Sequence, residues 1–320
     1  MGEPNLQAAT LELLNRARQL SPTPLEVIYR DQKVGYILPD QGQQYLSGGG
    51  WCFDISDLTA PDFTLSHQLL NYLMLLEKQV PQISFNLTTN DLQLDAKLMA
   101  SGMALYQTVL NTTIYQQQAD LGILTEEIKE AYFKGVLAQL PPESEQGNQL
   151  ASLRMATLLD ALVFFKDEEP AVMSKFQELY PQAFEQAELM YQMLQQKPVT
   201  TPIQIRRGIV RLYRMFDKCL RDLQLQPLRL SEFVTVSLVL TENQTMTKMK
   251  NLFEIYHTEW QDNLQFKSAY IGRLKTDQQN AFVINAPEQA EQEYFKNLYE
   301  MPVAVFLRQQ GCEYFVRTKD

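Results

Sequence analysis

The chain has 320 residues, 45% of them hydrophobic, with 28 basic and 38 acidic side chains and a formal net charge of −10. That length allows one large domain or two ordinary ones around a sizeable core. The acidic balance argues against a nucleic-acid partner, and no apolar run approaches the roughly 18–20 residues that cross a bilayer.

Taken in order, apolar residues at Leu6, Ala9, Leu13, Leu14 and Ala17 predict a helix, stopped by Pro22 and Pro24. Leu25–Tyr29 and Val34–Leu38 read as strands around a turn at Asp31–Lys33, and Gly48-Gly49-Gly50 reads as a hairpin tip. Trp51–Ser56 is a third strand. The next helix carries Leu65, Leu69, Leu70, Leu73, Met74 and Leu76, is apolar on most of its circumference and should be buried, ending at Gln79-Val80-Pro81. Asn90 is the expected cap of a long helix from Asp91 to about Gln118. Thr125 caps a helix to Leu140, and Glu143–Asn148 is the clearest linker. Helices follow over 149–165 and 170–196, parted at Lys166–Glu169, and Thr201-Pro202 starts another running to about Leu223. Residues 230–260 read as partly helical, with β-branched character over Phe233–Leu240. Ala269–Leu274 and Ala281–Ile284 form a hairpin pattern, a helix runs from Pro287 to about Gln309, and Glu313–Arg317 is a last strand.

The chemistry centres on His67-Gln68-Leu69-Leu70-Asn71, which has the outline of a zinc-peptidase H-E-x-x-H helix. Positions 67 and 71 share a helix face, so both can point at one ion while 68 points at its water. The replacements keep the shapes and remove the chemistry. Gln68 cannot take a proton from water, and Asn71 is a poor Zn²⁺ ligand beside neutral imidazole. Asp95, between Leu94 and Leu98, is the candidate third ligand. Together His67, Asn71 and Asp95 describe a vestigial metal site, and two weak ligands with one strong one do not keep the affinity of a full set. His257, the other histidine, reads as a residue on a solvated helix face. The basic run Arg206, Arg207, Arg211 and Arg214 lies along one helix, with glutamates of neighbouring helices as expected partners and an anionic ligand as the sharper alternative. Cys52, Cys219 and Cys312 are too few and too far apart for a thiolate zinc site and fit a reducing cytoplasm. Residues Met1–Asn5 lack the pattern of a signal peptide.

Phe53–Thr64, Ser66–Leu70, Leu158–Phe165 and Leu252–His257 resemble the bacterial proteins grouped as the IpaB/EvcA family, nearly end to end. The resemblance implies a member whose His-Glu-Leu-Leu-His has decayed at Gln68 and Asn71. The front part, roughly residues 1–115, is also similar in element order to small zincin domains of the ImmA/IrrE type. In such peptidases the strand before the motif helix is commonly the sheet edge that pairs with substrate.

The expected architecture is therefore α+β and predominantly helical, with a small mixed or antiparallel sheet. A zincin-like unit spans residues 1–142 and a mainly helical region 149–320, the late strands joining the early ones in one body. The expected function is a non-catalytic cytoplasmic protein that binds a peptide or protein. The alternatives are an active zinc-dependent peptidase recruiting Asp95, Glu77 or His257, and an interaction module of the helical region alone.

Overall fold

A computed structural model describes residues 4–77, 80–166, 168–286 and 291–317. Met1–Glu3 of the N-terminal stretch, Gln79 of the expected helix stop, Asp167 of the expected helix break and Pro287 of the expected helix start lie outside the described residues.

The first elements are α1 (Ala8–Leu20), β1 (Leu25–Gln32), β2 (Gly42–Ser47), β3 (Gly50–Asp57) and α2 (Pro61–Leu76). Two-residue strands β4 (Ile83–Ser84) and β5 (Leu87–Thr88) precede α3 (Leu92–Asp120), α4 (Glu126–Gln139) and the short α5 (Glu143–Gln146). Then come α6 (Ala151–Phe165), α7 (Pro170–Leu179), α8 (Pro181–Gln195), α9 (Pro202–Asp222) and α10 (Leu230–Phe233). The remainder is β6 (Thr235–Val236), β7 (Leu238–Thr241), α11 (Glu242–Met246), α12 (Met249–Leu252), β8 (Phe253–Asp262), β9 (Ser268–Leu274), β10 (Asn280–Ile284), α13 (Glu291–Glu300), α14 (Val303–Gln309) and β11 (Tyr314–Arg317). With 56% helix and 20% strand in several small sheets, the class is α+β. Among the described residues no helix is long and apolar enough to cross a membrane.

The chain divides into two compact units, Met1–Gln79 with Thr108–Gln192 and Val80–Gln107 with Met193–Asp320. The boundaries fall after α2, inside α3 and inside α8 rather than at the polar stretch 143–148. That stretch belongs to the first unit, where buried Arg154 donates from Nε and Nη2 to the Pro141 carbonyl, at 3.1 and 3.0 Å.

The first unit contains a mixed three-stranded sheet of order β1-β3-β2. β3 is parallel to β1 and antiparallel to β2, so its backbone is taken on both sides and the outer strands are β1 and β2. This corrects the expectation that the strand before the motif helix is the pairing edge. The β2–β3 turn is Gly48-Gly49, with φ of +58° and +84°, a left-handed pair that glycine adopts without strain. Val34–Leu38 is not a strand. Its backbone is drawn into a loop by other partners: Val34 N–H donates to Asp57, Gly35 N–H to Thr59, and Ile37 N–H to the Ala131 carbonyl of α4. α2 is buried as its sequence demands, with Leu65, Leu69 and Tyr72 fully covered.

The second unit holds the antiparallel sheet β10-β9-β8-β5 and the pairs β11–β7 and β4–β6. The early and late strands thus form separate sheets, not the shared one expected. β8 occupies a region read as partly helical; it is held as a strand by antiparallel pairing with β9 from Phe253–Leu274 to His257–Tyr270 and with β5 at Asp262. His257 consequently lies on a strand, its Nε2 2.6 Å from Ser268 Oγ. Proline sets two further breaks: Pro181 splits the 170–196 helix into α7 and α8, and Pro302 parts α13 from α14. The core of this unit gathers Leu238, Phe253, Phe282, Val303, Phe306 and Leu307.

Candidate functional site

α2 begins with Pro61 at its first turn, where the missing N–H costs nothing. Asp62 fixes the start by accepting from Gln7 N–H at 2.9 Å and Thr10 Oγ1 at 2.6 Å. Two turns on, His67 is half-buried, with its ring beside the stacked pair Phe63 and Tyr115 at centroid distances of 6.2 and 5.8 Å.

His67 Nε2 lies 2.9 Å from Oδ1 of Asn111, on α3. The Asn111 amide nitrogen is committed elsewhere, donating to Asp160 Oδ1 at 2.7 Å and to Tyr115 Oη at 3.1 Å. Its oxygen is therefore the acceptor, and His67 Nε2 carries a proton. Asp160, on α6, accepts at Oδ2 from Tyr115 Oη at 2.7 Å and from Tyr132 Oη of α4 at 2.6 Å. α3 and α4 thus meet the α6 carboxylate directly, and α2 reaches it through the Asn111 amide that lies between it and the imidazole.

Burial and the Asp160 charge push both tyrosine hydroxyls well above their usual range, so each remains a donor. Burial lowers the His67 pKa, against smaller opposing effects of Asn111 and Asp160. The imidazole is neutral at pH 7, bonded through Nε2, with Nδ1 as its remaining lone pair. Such a group can accept one proton or offer one ligand atom; around it sit tyrosines and an asparagine rather than further imidazoles or free carboxylates.

The other motif positions are engaged separately. Gln68 donates from Nε2 to the Gly42 carbonyl of β2 at 3.0 Å, and a Cβ on Gly42 would sit 2.7 Å from Thr64 Cγ2, so strand and helix meet closely there. Asn71 is half-buried one turn beyond His67. Asp95 belongs to the second compact unit, whereas His67 and Asn71 belong to the first. Its carboxylate accepts from Thr88 Oγ1 at 2.6 Å, Thr89 N–H at 2.8 Å and Thr89 Oγ1 at 2.7 Å. Burial raises the Asp95 pKa, but these three donors outweigh it and hold the carboxyl below its usual range. The cap of α3 is Asp91, accepting from Gln93 and Leu94 N–H, while Asn90 takes a left-handed φ of +63°. Among the described residues no three His, Cys, Asp or Glu side chains gather as a metal-ligand set.

Sequence reasoning missed Asn111, Tyr115, Tyr132 and Asp160. The available signal was Asp160 itself, a lone acid within Leu158–Phe165, since a carboxylate in an apolar helix requires donors.

His67 also sets a pH response. The unfolded imidazole titrates near 6.5 and the folded one lower, so the unfolded chain binds the extra proton. The contribution to stability is complete above about pH 6.5 and is lost as the pH falls toward the folded value. His67→Gln, which keeps a donor toward Asn111, is expected to flatten the stability profile just below pH 6.5, read by urea midpoints at stepped pH. An unchanged profile would contradict the neutral imidazole bonded to Asn111.

No family model, curated protein or solved structure matches the chain.

Proposed function

We propose that the chain is a non-catalytic protein that binds a peptide or protein partner, on a scaffold of metallopeptidase-like ancestry. One observation carries this reading: at position 68, where a peptidase would hold its general base, an amide is tied to the Gly42 carbonyl. An amide takes no proton from water, and this one is spent on holding strand to helix. The imidazole next to it supports the same reading, because its Nε2 is given to Asn111. The backbone beside the motif is β2, an outer strand that exposes Tyr45 and Leu46, the latter at 66%. An extended peptide adding to that edge would use main-chain hydrogen bonds for affinity and these side chains for selection. The reading takes the cytoplasm as its setting.

The test is hydrolysis. Purified protein supplied with Zn²⁺ and incubated with unfolded casein and a mixed peptide library should leave both intact by mass spectrometry. Chelator-sensitive cleavage that disappears in His67→Ala would establish the zinc-peptidase alternative instead.

A further inference from the structure

α9 presents a row of five cations along one face. Arg207, Arg211, Arg214, Lys218 and Arg221 follow one another at steps of four, three, four and three, which keeps all five on one helix face. The row is about 21 Å long at 1.5 Å per residue. Arg207, Arg214, Lys218 and Arg221 are exposed and Arg211 is half-buried. Among the described residues none of the five forms an ion pair. The glutamate partners expected for this run are therefore not there. The one arginine of it that is neutralised, Arg206, is buried, donates to the Ser237 carbonyl at 3.0 Å and pairs with Asp277.

A structural role does not account for the row. Like charges at three- and four-residue spacing destabilise a helix. Lys218 and Arg221 favour the C-terminal end of the helix dipole, but Arg207 and Arg211 lie too far back to share that effect. Arg211 donates Nε to the Arg207 carbonyl at 3.2 Å, and burial together with Arg207 lowers its pKa. Of the two acids on α9, Asp217 is buried, accepts from Leu228 and Arg229 N–H at 2.8 and 3.1 Å and also feels the Arg221 charge, while Asp222 is exposed at the helix end. The charge is also unevenly distributed between the units: the second holds 18 basic and 16 acidic residues, the first 10 and 22.

We propose that this face of α9 docks an acidic helical segment of a partner protein, with carboxylates spaced along about four turns to meet the five cations. Four of the five are arginines, whose planar fork takes a carboxylate in two parallel hydrogen bonds. The size of the row selects the partner. A segment of matching length meets five cations and the single exposed Asp222, whereas a duplex or a bilayer surface extends past the row and must face a chain of net charge −10. The inference is independent of the His67 site and survives or fails without it.

The probe is a labelled helix-forming peptide with glutamates at the same five spacings, its Gln analogue as blank, and fluorescence anisotropy on the full chain. Binding is expected at low salt, weakening steeply between about 50 and about 200 mM. It should fall roughly tenfold or more in R207Q/R211Q/R214Q. K33Q/K134Q/K175Q, with the same change in net charge on the other unit, should bind as the wild type does, and circular dichroism confirms that both variants fold. Four outcomes overturn the proposal: no peptide binding at low salt, equal loss in both variants, tighter binding of a single-stranded oligonucleotide or of anionic vesicles than of the peptide, or self-association of the chain that the α9 variant abolishes.

Discussion

Asp160→Ala is expected to lower the unfolding free energy of the first unit by about 4 kcal/mol. The carboxylate accepts three hydrogen bonds, from Asn111, Tyr115 and Tyr132. Tyr115 and Tyr132 are buried at 3% and 9% exposure, so water does not replace the lost acceptor for them. Each orphaned donor costs roughly 1–3 kcal/mol, and bonds to a charged acceptor sit at the upper end. Asp160→Asn keeps the volume but turns one oxygen into a donor facing a donor, so it should recover little. The pattern of the double mutants separates a network from a cavity. Tyr132→Phe alone should cost about 1–2 kcal/mol, and close to nothing once Asp160 is already alanine, because the partner is gone. Trp51 lies in the first unit and Trp260 in the second, so Trp260→Phe leaves a fluorophore that reports on the unit concerned. Urea titrations in that background measure the loss. A cost within about 1 kcal/mol for Asp160→Ala would mean the carboxylate is hydrated rather than held.

Elements announced by strong local signals were legible in the sequence. α2 declared itself by an almost fully apolar surface, α4 by the Thr125 cap, whose Oγ1 accepts from Ile128 N–H, and α9 by Thr201-Pro202. The β9–β10 hairpin followed from two apolar runs flanking Thr276–Asn280. What failed was decided at a distance. Val34–Leu38 has the composition of a strand, but Asp57, Thr59 and Ala131 claim its N–H groups. β2, with the polar sequence Gly-Gln-Gln-Tyr-Leu-Ser, forms only because the two-glycine turn returns it along β3. The site shows the same division. His67 could be placed on its helix face from spacing alone. Its partner Asn111 is 44 positions away and that residue's own partner Asp160 a further 49, separations that periodicity does not encode.

The second large effect is expected at Gly135, where two principles predict opposite signs. Gly135 lies inside α4, and alanine in a helix interior is favoured over glycine by about 1 kcal/mol. If propensity governed, Gly135→Ala would stabilise the protein. Packing argues otherwise. A Cβ at 135 would lie 1.7 Å from the Ile37 carbonyl oxygen and 2.8 Å from its carbon. These are backbone atoms, so no rotamer change makes room. Nor is the loop free to retreat: Ile37 N–H donates to the Ala131 carbonyl at 3.0 Å, Gln41 Nε2 to the Tyr36 carbonyl at 2.9 Å, and Leu38 N–H to Gln41 Oε1 at 3.0 Å. Relief requires either moving α4, whose Tyr132 belongs to the Asp160 network, or withdrawing residues 36–38 and leaving buried backbone groups unpaired. Either route should cost about 3 kcal/mol or more, well beyond the helical gain. Gly102→Ala is the matched comparison, because its new methyl would meet the Val234 side chain at 2.9 Å and the Phe85 ring at 3.2 Å, side chains rather than backbone. It should be milder. Thermal and urea midpoints of the two variants decide the matter, and amide exchange at Ile37 locates the damage. A Gly135→Ala protein as stable as the parent would show that the loop does not rest on α4 as described.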